Sequence, residues 1–319
     1  MPLFWPKTRN FYLIRMPCSV PVLLLAFNRP GKTAKVLEQI RHASPVRVYA
    51  HCDGPRRHVR DDLDRTEQVK RLIEEQLGSF EVKTLFRTTN AGLRRGVYEA
   101  LNWFFEQEEF GIILEDDCVP DPSLFPFCEE LLLRYRDDQQ IMHIGCSNLA
   151  GEYAGYPDGG YVFSRFSFVW GWASWRRVWQ AMSIDLEGLE LFERSGGLKR
   201  FLPDPMAQAY MYTKFQATKS GKNNSWAYAW FYSVLKNNGL CIVPKTNLVQ
   251  NVGVGESDAT NTTTLIKNSL KKAQPMHFPI VHPNNKSVDP KLEQLFFYTS
   301  QKSRFRLYLW YFLHVIGLR

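Results

Sequence analysis

The sequence predicts an α/β fold, a mostly parallel sheet with helices on both faces, and three observations predict it. Short continuous apolar runs alternate with segments of helical period through the first 120 residues. The first run, Val20 to Phe27, carries no polar residue, as in a strand buried on both faces. The first, second and fourth runs stop at polar residues: Asn28-Arg29, Asp53-Gly54 and Glu115-Asp116-Asp117. In such sheets ligands bind beyond the carboxyl ends of the strands, so these three segments are expected to converge on one crevice.

In chain order, the first strand is read over Val20 to Phe27, and Pro30-Gly31 then punctuates. Helical spacing of Val36, Leu37 and Ile40 places a helix over Lys32 to His42. A second strand, Val46 to His51, is closed by Asp53-Gly54-Pro55, and residues 61–77 read as an amphipathic helix through Leu63, Val69, Leu72, Ile73 and Leu77. Phe80 to Phe86 is the third strand, and Leu93 to Glu108 is a helix with Val97, Leu101, Phe104 and Phe105 on one stripe. Phe110 to Leu114 is the fourth strand. Strands alternating with helices in this way imply right-handed crossovers. Past residue 120 the regularity fades. A helix over Pro122 to Tyr135, a strand over Ile141 to Gly145, helical stretches Pro205 to Ser220 and Trp226 to Lys236, and a strand Leu240 to Pro244 are separated by an irregular aromatic stretch, Tyr161 to Trp179.

This pattern divides the chain into an N-terminal extension (1–19), a main domain (20–265) and a C-terminal extension (266–319). The main domain has a nucleotide-type half (20–120) and an irregular half (121–265) that is expected to supply the second substrate wall.

The composition, 45% hydrophobic and 23% charged over 319 residues, excludes collagen, coiled coil and wholesale disorder. A formal net charge of +8 favours a polyanionic partner. Nucleic acid is not the expected one: the basic residues are dispersed, and an Asp-rich strand end repels phosphate unless a metal intervenes. The six cysteines show no C-x-x-C pair and read as small buried hydrophobes in a reducing compartment. The apolar stretch Phe11 to Phe27 is broken by Arg15, Pro17 and Pro21 and is not a membrane span. A cytoplasmic location is therefore expected, with peripheral attachment to the inner membrane face suggested by the tail.

That tail, residues 302–319, puts Lys302, Arg304 and Arg306 ahead of and within a dense aromatic and aliphatic run. It suits a helix in the headgroup layer of an anionic membrane surface, and equally a terminal helix docked on the domain's own core.

Ile112 to Asp117 is the most specific feature. Three adjacent acids closing an apolar strand repel one another and are costly in an apolar setting. A hard divalent cation, Mn²⁺ or Mg²⁺, would neutralise them, with a nucleoside diphosphate completing its oxygen shell.

Together, Phe27-Asn28-Arg29-Pro30, Asp53-Gly54, Asn90-Ala-Gly-Leu-Arg94-Arg95-Gly96 and Glu115-Asp116-Asp117 resemble a GT-A fold glycosyltransferase. The likeness is to the N-acetylglucosaminyltransferase I type and its bacterial surface-polysaccharide relatives, over residues 20–265. The resemblance implies a nucleotide-binding set of Asn28, Arg29, Asp53, Arg94, Arg95 and Asp116, with Asp53 on the uracil edge, Asp116 at the ribose and Asp117 on the metal. Trp170, Gly171, Trp172 and Trp226 would border the donor and acceptor sugars. The activity implied is inverting transfer of a hexose or N-acetylhexosamine from a UDP-type nucleotide sugar to a glycan or lipid-linked acceptor, as in lipopolysaccharide synthesis.

One departure bears on catalysis. The family places an acidic general base just after the first Trp of the segment that begins at Ser225; here that position is Ala227. The chain is then a catalytic-base variant, or its base lies at Glu256, Asp258 or Asp204, or it is a sugar-binding pseudoenzyme. A sugar-phosphate nucleotidyltransferase is the other enzymatic reading, disfavoured because the first strand is followed by Asn28-Arg29-Pro30-Gly31 and no glycine-rich phosphate loop.

Overall fold

The computed structural model describes residues 17–151, 153, 156, 160–202, 204–255, 271–301 and 304–315. The first half alternates as expected: β1 (Val22–Ala26), α1 (Pro30–Ala43), β2 (Val48–Cys52), α2 (Asp62–Leu77), β3 (Val82–Phe86), α3 (Leu93–Gln107) and β4 (Phe110–Glu115). Helix α1 starts at Pro30 because proline's fixed φ and missing N–H suit a first helical position. In α2, Val69, Ile73 and Leu77 are buried as expected, but Leu63 lies outward. Strand β3 exposes Lys83 and Thr84, which point to opposite faces, because it is the edge strand and has a neighbour on one side only.

The second half begins with β5 (Cys118–Pro120), α4 (Leu124–Arg134) and β6 (Ile141–Gly145). The stretch read as irregular holds two strands, β7 (Tyr161–Ser164) and β8 (Trp172–Trp175), then the short helices α5 (Arg176–Trp179), α6 (Leu189–Arg194) and α7 (Gly197–Phe201). Next come α8 (Pro205–Lys219), α9 (Trp226–Lys236), β9 (Leu240–Pro244), β10 (Val249–Asn251), α10 (Pro290–Thr299) and α11 (Arg304–Val315).

The eight-stranded sheet has the order β3-β2-β1-β4-β8-β6-β9-β7. Its β3-β2-β1-β4 half is parallel, β6 and β9 are parallel to each other, and β8 and β7 pair antiparallel with their neighbours. The chain steps from β1 to β2 to β3 in one direction and then returns past them to β4. With right-handed crossovers, α1 and α2 therefore share one face and α3 covers the other. The order reverses between β1 and β4, which makes the gap beyond their carboxyl ends the topological switch point. A separate two-stranded ribbon, β5 with β10, sits beside it.

Two apolar cores hold the molecule. One spans the sheet and α1 to α4; the other gathers α6 to α10 around Phe215, Tyr232 and Phe296. The segment read as a C-terminal extension packs into both, through Met276 and Ile280 in the first and Leu292, Phe296 and Phe297 in the second. All six cysteines are buried and free.

The second core encloses a carboxylate. Glu293 is 3% exposed and accepts hydrogen bonds from Ser164 Oγ (2.5 Å) and Arg165 N (2.9 Å). Burial pushes its pKa up from the usual 4.5 to about 7, against the opposing pull of those two donors. The folded protein thus binds a proton that the unfolded chain has released, and stability falls as pH rises from 4.5 to 7. The contribution is at most on the order of 3 kcal/mol. Glu293→Gln should flatten the loss of urea midpoint between pH 5 and pH 8; an unchanged slope would show that the carboxylate is not the titrating group.

Candidate active site

The site is assembled across the switch point. Strand β1 ends at Ala26, and the three residues before α1 turn back over the sheet with Arg29 at the helix N-cap. The acids after β4 meet them. Asp116 Oδ2 accepts from Phe27 N (3.1 Å), Asp116 Oδ1 from Arg29 Nη2, and Asp117 Oδ2 from Arg29 Nη1 (2.8 Å). The side chains of Asp116 and Asp117 are 1% and 8% exposed, whereas Arg29 keeps 16% of its surface open. One guanidinium thus faces two of the three carboxylates and supplies part of the counter-charge that the acidic strand end requires.

The electrostatics follow from that geometry. Burial, joined by the charge of Asp117, lifts Glu115 above the usual carboxylate range. Burial likewise lifts Asp116, opposed by Arg29. Burial acts to lower the Arg29 pKa, but Asp116 and Asp117 outweigh it, and the net shift is upward.

The β5–β10 ribbon closes the other side. Asn251, opposite Cys118 in the ribbon, directs Nδ2 at Asp117 Oδ1 from 3.4 Å, and Val252 N donates to the Asp117 carbonyl (2.8 Å). Gly253 passes so close that a Cβ there would stand 2.3 Å from Asp117 Oδ2 and 3.1 Å from Arg29 Nη1. Sequence reasoning did not find Asn251 as a neighbour of Asp117, because a pairing of three-residue strands so distant in sequence leaves no local periodicity.

Asp53 organises the adjacent rim. Its carboxylate accepts from Gly54 N (2.8 Å), Asn90 Nδ2 (3.0 Å), Ala91 N (2.9 Å) and Gly92 N (3.1 Å). These donors saturate it, so in this arrangement it builds the loop that starts α3 and has no lone pair left for a base edge. Asn28 is likewise committed, donating to Asp62 Oδ1 (2.6 Å), which Arg56 also holds.

Two other expectations are corrected by placement. Arg94 donates to the carbonyls of Thr218 (2.9 Å) and Ile184 and to Asp185 Oδ1 (3.2 Å), tying α3 to the opposite wall. Arg95 is 75% exposed and pairs with Glu99 one turn along, as ordinary surface charge.

The tryptophans are corrected too. Trp172 is fully buried in β8, stacked on His143 at 5.2 Å and flanked by Trp226 (5.8 Å) and Trp230 (5.4 Å). With Trp226 also buried, neither ring offers a face to a sugar. Trp170 is half-buried against the core, and Gly171 lies among Leu114, Leu124 and Val249. Asp204 caps α8 through Met206 N (2.8 Å) and accepts from Tyr298 Oη (2.8 Å), which is a structural position. Ala227 sits half-buried in the first turn of α9. The preceding Asn224 approaches the start of α3, its Nδ2 3.8 Å from where a Gly92 Cβ would stand. Glu256 and Asp258 lie outside the described residues.

Among the described residues no group of three or more His, Cys, Asp or Glu forms a metal cluster. The donor set fits a cation held by one carboxylate plus substrate phosphates. Among the described residues, Asp117 Oδ1 meets Asn251 Nδ2 at a long 3.4 Å and Cys118 Sγ, a weak donor, at 3.4 Å.

No protein-family model matches the chain, and no curated protein matches it. Solved structures similar to parts of it include a UDP-glucose pyrophosphorylase complexed with UDP-glucose (11% identity, TM-score 0.27), covering 43% of this chain and 65% of that one. The inositol-1-phosphate CTP transferase from T. maritima is similar over 51% of this chain and 73% of its own (10% identity, TM-score 0.29). The 4-diphosphocytidyl-2C-methyl-D-erythritol synthase from Anaerococcus prevotii DSM 20548 is similar over 88% and 95% (11% identity, TM-score 0.30). Likeness this slight carries no argument about chemistry. The α/β class rests on the sheet itself, a large and mostly parallel one of Rossmann-like order.

Proposed function

We propose that the chain is a nucleotide-sugar-dependent glycosyltransferase of the inverting type. The observation that carries this reading is the Arg29–Asp116–Asp117 cluster at the topological switch point between β1 and β4. A partly open guanidinium there suits a diphosphate, and parallel sheets take their ligands at this place. Asp117 would hold Mn²⁺ or Mg²⁺, whose charge would offset that developing on the leaving diphosphate. Arg29 would exchange carboxylate for phosphate oxygens, and Asp116, bonded to Phe27 N, would keep the β1–α1 turn in place. The acceptor is a hydroxyl of a glycan or a lipid-linked sugar; its proton needs a carboxylate base, and the family's base position holds Ala227, with Glu256 and Asp258 as the other candidates.

A sugar-phosphate nucleotidyltransferase needs several amides to cradle a triphosphate. Here α1 opens with Pro30, which has no N–H to offer, and a single arginine precedes it.

Calorimetric titration with UDP, with and without Mn²⁺, tests the reading. Binding that tightens with Mn²⁺ is expected, and no binding under either condition would overturn it. Release of UDP from UDP-sugars supports transfer, whereas release of pyrophosphate from UTP and a sugar phosphate would establish the rival reaction. Ala227→Asp, which restores an acid at the position where the resembled family has its base, should raise turnover at least about tenfold. No gain, with activity lost in Glu256→Gln or Asp258→Asn, would assign the base to the later segment.

A further inference from the structure

We propose that the exposed face of α11 lies in the headgroup layer of an anionic lipid bilayer. The helix presents two opposite stripes. Leu307, Trp310 and Tyr311 turn inward and join the second core, Trp310 meeting Tyr210 edge-on at 5.7 Å. Phe305, Tyr308, Leu309, Phe312 and Val315 are between 49% and 77% exposed. At 100° per residue these five fall within an arc of about 120° centred away from the docked stripe. The docked stripe thus anchors the helix to the body, and the second apolar stripe serves no packing purpose among the described residues.

Five large apolar side chains on one arc form a patch of the kind that marks an interaction surface. The charge of the segment selects its partner. Residues 302–319 contain Lys302, Arg304, Arg306 and Arg319 and no Asp or Glu, in a chain of net charge +8. A segment of one sign of charge is ill suited to pairing with a second copy of itself, whereas an anionic surface complements it. Phe and Tyr beside Lys and Arg also match the layer where rings sit at headgroup depth. At about 18 Å for twelve residues the helix is too short to span a bilayer, and no helix among the described residues is long and apolar enough to cross one. The geometry therefore favours a helix lying flat in the interface, its inner stripe holding the protein body against the membrane.

The test is sedimentation of the full chain with vesicles of phosphatidylglycerol and phosphatidylcholine, compared with phosphatidylcholine alone. Binding is expected to the anionic vesicles, and to weaken when salt is raised from about 0.1 M to about 1 M. Phe305→Ser/Phe312→Ser, and Leu309→Ser separately, should retain the melting temperature and UDP affinity, since all three side chains are exposed. The double variant should bind the anionic vesicles at least about tenfold more weakly. Undiminished binding by the folded double variant would overturn the proposal, as would failure of the full chain to bind anionic vesicles. A dimer in solution that the same substitutions dissociate, with no vesicle binding, would assign the face to a second copy instead.

Discussion

Arg29→Ala is expected to destabilise the protein by about 3–5 kcal/mol, the cost of leaving buried carboxylates without their counter-charge. The guanidinium contacts Asp116 and Asp117 directly, and Glu115 adds a third acid behind them. Urea unfolding at pH 8 reads the loss. The deficit should shrink toward pH 5, because burial has already lifted Glu115 and Asp116 and the variant can take up protons at both. Asp117→Asn in the Arg29→Ala background should recover part of the stability by removing one of the stranded charges. Mn²⁺ should raise the melting temperature of the single variant, if Asp117 takes a cation where the guanidinium stood. A loss below about 1 kcal/mol would mean that the carboxylates are solvated and the cluster is an ordinary surface network.

Gly54→Ala is the second large effect. A Cβ at Gly54 would lie 2.4 Å from the backbone C and N of Thr89, and backbone cannot yield as a side chain can. The Thr89 segment leads directly into Asn90, Ala91 and Gly92, the donors that hold Asp53. Forcing the two loops apart should cost about 1–3 kcal/mol as overpacking and lower UDP affinity by about tenfold, roughly 1.4 kcal/mol. Gly31→Ala is the matched control. Nothing lies within 4 Å of its Cβ position, and the substitution should be neutral or stabilising by up to about 1 kcal/mol through helix propensity. If Gly54→Ala proved as silent as Gly31→Ala, the packed loop junction would not support the crevice.

The elements that position this site were legible in the chain itself. Val22–Ala26 and the Phe110 to Leu114 part of β4 are continuous apolar runs, and Val48–Cys52 is interrupted by His51 alone, because these strands are buried on both faces. The helical stripes of α1 and α3 face the sheet as their periodicity required. Three features were not legible. The β5–β10 ribbon pairs short segments far apart in sequence. The strands β7 and β8 are only four residues each, too short for their alternation to stand out from the surrounding loops. Leu63 turns outward because, at 100° per residue, it falls about 120° from Val69 and about 80° from Ile73, off the stripe that α2 buries.

By itself the sequence determined the α/β alternation and the placing of polar residues at the strand ends, since both depend on local hydrophobic period and on where apolar runs stop. Only the tertiary structure decided which arginine meets the acids. Arg29 does so because the β1–α1 turn folds across the switch point, while Arg94 and Arg95 look to the opposite wall and to solvent. It also decided that Trp172 and Trp226 pack against each other and against the core. A side chain's character is written at its own position, but what it faces is supplied by segments distant in the chain, and that choice belongs to packing.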